Sequence, residues 1–180
     1  MADRNTPMTD TVPTGPDRLV DTARFRAAYR QVPAPVAILL VPGGPAGVTG
    51  LTCTSATSLS GRPPMAMVAV DHKTHLAPLA EDTGQFSINY LAADRATWAQ
   101  AFATRSRHLD DLAAAVVAGH TRVPTLATGT TAVLECRTTA VHHGGDHWIL
   151  CGEVLHARAQ TDAKPLLYLG GRYGTFHHDT

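Results

Sequence analysis

Cysteine is scarce in this chain, and its arrangement excludes more than its number does. Cys53, Cys136 and Cys151 are the full set, and no two form a CxxC pair. An odd count without framework spacing reads as free thiols in a reducing cytoplasm, each packed in the interior rather than used in chemistry. Excess charge of one sign is also lacking, since 15 Lys+Arg face 15 Asp+Glu. Without a basic surplus, neither nucleic acid nor an anionic membrane surface is expected as a partner. No apolar run approaches the roughly 20 residues of a membrane span. The N-terminal MADRNTPMTDTVPTGPDR has no apolar signal core, which speaks against secretion. Phosphate-loop, dinucleotide-fingerprint, nucleophile-elbow and HExxH motifs are all missing; GGPAG and GGRYG do not match GxGxxG. His142, His143 and His147 lie close together, but adjacent strand residues face opposite ways and no carboxylate or Cys completes a ligand set, so no metal is expected.

What is present is a strand-rich pattern on a chain of 180 residues, enough for one domain with a sizeable core. Residues 1–20 hold Pro7, Pro13 and Pro16 among polar spacers and read as a disordered tail, leaving 21–180 as the single domain. Asp21 reads as the cap of a helix reaching about Arg30, with Phe25 and Tyr29 on one face. The runs PVAILLV (35–41), MAMVAV (65–70) and QFSINYL (85–91) read as strands, as do TAVLECRTTAVHH and HWILCGEVLHARA, which Gly144, Gly145 and Asp146 join in a hairpin. Short helices are expected at THLAPLAED, capped by Thr74; after Asp94 as its cap, with Trp98 and Phe102 four apart; and at HLDDLAAAVVAG, stopped by Gly119. Antiparallel hairpins with short helical inserts describe a mainly β, α+β barrel, and a parallel βαβ fold fits poorly.

The stretch GLTCTSATSLSGRPP, residues 50–64, is the most informative. Six Ser/Thr fall between Thr52 and Ser60. Neutral hydroxyls and backbone N–H groups can hold a phosphate without a large positive charge. Leu51 and Thr52, leaving Gly50, could give a flat ring both an apolar wall and backbone donors. On composition alone a Thr-rich strand favoured by β-propensity is the better explanation of the segment.

Several segments, in order, resemble the flavin reductase family, the reductase partners of two-component monooxygenases. FRAAYRQVPAPVAILL resembles its opening helix and first strand, and GLTCTSATSLSGRPPM its signature. FSINYLAADRATWAQAFA, GDHWILCGEV and PLLYLGGRYGTF resemble its later segments, so the likeness runs from about residue 22 to 176. The chain departs from the family at Ala56 or Thr57, where an aromatic is common, and at Pro35, where Gly is common; both bear on pocket shape.

The resemblance implies a flavin-binding split β-barrel, homodimeric, with FMN or FAD near the dimer interface. Gly50, Leu51 and Thr52 would line the isoalloxazine, with Cys53 in the same wall. Thr54, Ser55 and Ser58 would reach the ribityl chain or phosphate. Asp71, Lys73 and Thr74 would close the other side, and Phe102 and Arg105 would approach the flavin tail. His147 would face the nicotinamide in a positioning role, with Tyr173 on the same side unless it is simply packed. The implied activity is NAD(P)H-dependent reduction of flavin, supplied to a partner monooxygenase. No Arg cluster awaits a 2′-phosphate, which favours NADH over NADPH. The alternatives are an FMN-binding split barrel without turnover and an oxidase of the pyridoxine-phosphate type. A homodimer is also expected on physical grounds, because PVAILLV and MAMVAV are too apolar to face water.

Overall fold

The computed structural model describes residues 19–44, 47–104 and 114–177. Residues 1–18 of the proposed tail, Arg105 and the first half of HLDDLAAAVVAG (108–113) lie outside the described residues. Helix α1 spans Thr22–Tyr29, and the Asp21 carboxylate accepts from the Arg24 N–H at 2.9 Å, as expected of its cap. Strands β1 (Ala34–Pro35), β2 (Ala37–Pro42), β3 (Val48–Cys53), β4 (Ala56–Gly61) and β5 (Pro64–Asp71) follow. Helix α2 (Leu76–Thr83) leads into β6 (Gln85–Leu91), and a 3-10 turn at Ala93–Arg95 leads into α3 (Ala96–Ala103). Strands β7 (Val116–Ala118) and β8 (Pro124–Leu126) form a hairpin, then come the long β9 (Thr130–Gly144) and β10 (His147–Ala159), and finally β11 (Leu166–Leu169) and β12 (Arg172–Thr175).

Seven strands form one antiparallel sheet in the order β3-β2-β6-β9-β10-β5-β4. Its two edges, β3 and β4, are consecutive in the chain and joined by only Thr54 and Ser55. Cys53 and Ala56 are three Cα–Cα steps apart, a span of no more than about 11 Å, so the sheet curls until its edges approach: the expected split barrel. β4 pairs with β5 only as far as Ala56↔Val68, whereas β10 accompanies β5 to Asp71. The last three residues of β5, Ala69–Asp71, therefore have an open side opposite the edge of β3. This unpaired seam is the structural basis of the site.

β2 explains why the core is double. Its residues are buried on both faces. Ala37, Leu39 and Val41 point into the barrel with Val68, Phe86, Ile88 and Leu150. Val36, Ile38 and Leu40 point outward, under Ala99, Leu126 and Leu166. The chain thus covers PVAILLV by itself, through α3, β8 and β11. The sequence-based argument that this run demands a second subunit does not hold.

Three helix expectations are corrected. Thr74 does not cap α2; its hydroxyl donates to the Asp71 carbonyl at 2.7 Å, closing a turn, and the helix starts after His75 without a side-chain cap. Asp94 sits inside the 3-10 turn and pairs with Arg95 at 3.4 Å instead of capping α3. The Val116–Ala118 end of the expected third helix is the β7 strand, and Gly119 opens the hairpin turn rather than ending a helix. Glu135 on β9 accounts for that override. Its buried carboxylate accepts the N–H groups of His120 (2.9 Å) and Thr121 (2.7 Å) and the Thr121 hydroxyl (2.7 Å), fixing the turn. Gly119 is required there, since a Cβ would lie 2.5 Å from the carboxylate.

Candidate functional site

A cavity of about 1180 Å³ opens at the seam. β3 forms one wall, Ala69–Asp71 the opposite one, the start of α2 (His75, Leu76 and Leu79) the floor, and Ala101–Ala103 of α3 with Val116 a third side; His147 stands at the rim. As an edge strand, β3 leaves alternate backbone N–H and C=O groups without ladder partners on its free side. Apolar walls with a few backbone donors are what a flat heteroaromatic ligand needs.

Ten of the sequence-predicted residues meet in this cavity: Gly50, Leu51, Thr52, Cys53, Thr54, Ser55, Asp71, Thr74, Phe102 and His147. Ser58, Lys73 and Tyr173 do not line it. Ser58 is exposed on β4, within the stretch that pairs with β5 (Ser58↔Ala66) and away from the open residues Ala69–Asp71. Lys73 is exposed in the turn, its N–H donating to the Asp71 carboxylate at 2.7 Å. Tyr173 packs on the outer core against Tyr168, ring centroids 5.3 Å apart, so its packed reading holds. Trp98 likewise belongs to that core, with the Arg95 guanidinium 4.7 Å above its ring.

Side-chain bonding divides the hydroxyls further. Thr52 donates to the Ala99 carbonyl of α3 at 2.7 Å, and Ser55 donates across the seam to the Ala69 carbonyl at 2.6 Å. Thr54, exposed in the two-residue link, makes no hydrogen bond through its hydroxyl among the described residues, so it is the hydroxyl of this segment best placed to meet a ligand. Gly50 is a glycine by necessity. A Cβ would come within 2.6 Å of the Leu39 carbonyl and 3.0 Å of the Phe102 ring. Cys53 contributes a wall only: burial pushes its thiol up to about 12, so it stays protonated and unreactive at neutral pH.

His147 pairs with Asp71 across β10 and β5, and its side chain is 42% exposed. Its Nδ1 lies 2.6 Å from the Asp146 carboxylate, which leaves Nε2 for a ligand. That hydrogen bond, and then the imidazolium charge, hold the Asp146 carboxyl below the ordinary range. The Asp146 carbonyl accepts the His72 N–H at 3.1 Å, tying the β9–β10 turn to the end of β5 beside the seam. His143 turns elsewhere, its ring 4.2 Å from Trp148 and 5.4 Å from His72.

Sequence reasoning missed Thr49, Ala69, His75, Leu79 and Val116 among the lining residues. Thr49 adjoins Gly50 on the same strand and was within reach of the strand reading. Val116 was hidden by the mistaken helix, and nothing local marks Leu79 as more than the apolar face of α2.

Comparison with known proteins identifies the family and the fold. The family model described as a flavin reductase like domain matches residues 29–177. The FMN reductase (NADH) SmoA of Agrobacterium fabrum is 36% identical over 132 residues, 73% of this chain and 74% of that protein. The reductase component of 4-nitrophenol 4-monooxygenase/4-nitrocatechol 2-monooxygenase of Rhodococcus opacus is 35% identical over 158 residues, 87% of this chain and 82% of that protein. Among solved structures, the Streptomyces globisporus NADH:FAD oxidoreductase SgcE6 in complex with NAD and FAD fragments superposes with a TM-score of 0.78 at 28% identity, covering 91% of this chain and 99% of that one.

Proposed function

We infer, since the chain belongs to the flavin reductase like family, that it reduces FMN or FAD with NADH and hands the reduced flavin to a flavin-dependent monooxygenase, and that the seam cavity is where flavin and nicotinamide meet. The observation that carries this reading is the unpaired stretch Ala69–Asp71 facing the edge of β3 across an apolar cavity large enough for a flavin ring. The fit is supported by Gly50, where any side chain would fill the wall, and by the open backbone edge of β3. NADH as the reductant follows the names of the relatives.

When bound, the two cofactors supply the redox chemistry themselves, a hydride passing from nicotinamide to flavin. The protein's part is to hold them in contact and keep water out. Gly50 and Leu51 present a flat wall, Phe102 closes its outer end, and Thr54 meets the polar tail. His147, oriented by Asp146, offers Nε2 to the nicotinamide amide or ribose, a positioning task that needs no proton transfer. An oxidase of the pyridoxine-phosphate type would want cations around its substrate, and among the described lining residues there is no Lys or Arg.

A homodimer is supported by α1, which buries none of its own residues and exposes Phe25 and Tyr29, and by exposed Tyr168 and Leu169. Three free, buried thiols suit a reducing cytoplasm, and no described helix is long and apolar enough to cross a membrane. The decisive measurement is NADH oxidation with and without added FMN or FAD. Consumption that rises with flavin is expected; none at any flavin concentration would reject the enzyme reading.

A further inference from the structure

Helix α3 is held against the barrel almost wholly by apolar contacts. Ala99 is fully buried, and Trp98 and Phe102 pack with Ile38 and Leu40. Apolar contacts are non-directional, so they press a helix onto a sheet without fixing its rotation or its height. One side-chain hydrogen bond ties α3 to the sheet among the described residues: Thr52 of β3 donates to the Ala99 carbonyl at 2.7 Å, partly shielded from water. One turn further along α3, the Phe102 ring rests against Gly50, two residues before Thr52 on the same strand. The tie and the ring contact together define where the α3 wall stands beside the cavity.

We propose that Thr52 is a positioning residue for flavin: its hydroxyl, bonded to the Ala99 carbonyl, sets the α3 wall and the Phe102 ring at the spacing the isoalloxazine requires, and does not donate to the flavin. The inference rests on the reading that the seam cavity holds the flavin. A hydroxyl has one proton. In Thr52 that proton is committed to α3, so the acceptor atoms of a flavin edge must be met by the β3 backbone. Thr52 thereby acts through Phe102, not on the ligand.

Two substitutions separate these roles. Thr52→Val keeps the shape and suits a strand; Thr52→Ser keeps the hydroxyl. Amide exchange across α3 is measured without flavin, FMN affinity by quenching of flavin fluorescence, and the NADH KM at saturating FMN. For Thr52→Val, exchange in α3 rises before any flavin is added, FMN binds about tenfold more weakly, and the NADH KM stays within about twofold. Thr52→Ser restores all three. In a Phe102→Leu background, Thr52→Val adds less than about twofold, because both changes release the same wall. Should the Val variant not fold, Thr52→Cys, similar in size with only a weak donor, is read in the same way. The proposal is overturned if FMN binding weakens while α3 exchange is unchanged, if the two substitutions add independently, or if FMN affinity does not move. The underlying site reading has its own control. FMN added to the unsubstituted protein must slow exchange in residues 48–53. If it does not, the cavity reading falls and this proposal with it; if it does and Thr52→Val is silent, the positioning role alone fails.

Discussion

At the scale of single residues, the hydroxyls of residues 52–60 are similar in sequence and different in place. Thr52 and Ser55 are bonded to backbone carbonyls, Ser58 faces away on β4, and Thr54 remains at the cavity. Thr54→Ala is accordingly expected to weaken FMN binding by about 1 kcal/mol, roughly fivefold, the usual net worth of one neutral hydrogen bond. Ser58→Ala should leave it unchanged. His147→Ala should raise the NADH KM roughly tenfold at saturating FMN while FMN affinity stays similar, a split that marks a residue serving the second cofactor. Fluorescence titration and stopped-flow reduction read the two effects separately. Equal loss of FMN affinity for His147→Ala and Thr54→Ala would place His147 on the flavin side instead. The region of the site was legible in the sequence because Gly50 and its Thr-rich neighbours form one continuous strand. Which hydroxyls stay available was not, since that depends on Ala99 and Ala69, 47 and 14 residues away from their partners.

Among the elements, strands were read more faithfully than helices. β6 falls on the expected QFSINYL, and β9 and β10 meet at the expected glycine turn, because period-2 apolarity and turn residues are local signals. The sequence of β7 reads as the end of a helix because the Ala-rich run before it favours helix, and tertiary bonding overrides propensity. Glu135 supplies that bonding. Burial pushes its carboxyl up, but the hydroxyl and N–H of Thr121, the N–H of His120 and the nearby His156 outweigh it, and the net shift is downward from 4.5. A carboxyl depressed on folding stabilises the native state above its unfolded value, and that contribution is lost as pH falls through the folded value. The melting temperature of the native protein should therefore exceed that of Glu135→Gln near neutrality, and the gap should narrow as pH falls below 4.5 and through the lower folded value. A gap independent of pH in that range would mean that the charge of Glu135 does not support the turn.

For the whole molecule, the case for a partner subunit has moved. β2 is covered from both sides within the chain, so the apolar surface left over lies elsewhere, on α1 and at Tyr168 and Leu169. The dimer expected from these faces should give twice the chain's 19.1 kDa by light scattering at micromolar protein, and Phe25→Glu with Tyr29→Glu should shift it toward monomer while far-UV circular dichroism is retained. A native mass of one chain would refute it. The overall class, a mainly β barrel with short helical inserts, was readable because hairpins and inserts follow each other along the chain. The curl that brings the first and last strands of the sheet together was not, since it follows from a link of two residues between opposite edges.

The line between Ala69–Asp71 and β3 has a consequence for traffic through the molecule. It is bridged by the Ser55 bond and not by strand pairing. A guest can enter or depart by parting that line while the paired strands stay intact. Local openings of this kind cost far less than global unfolding. Residence time and heat resistance are thus separate properties of this fold: the barrel can be stiffened without detaining its cargo, and the seam can be loosened without endangering the barrel.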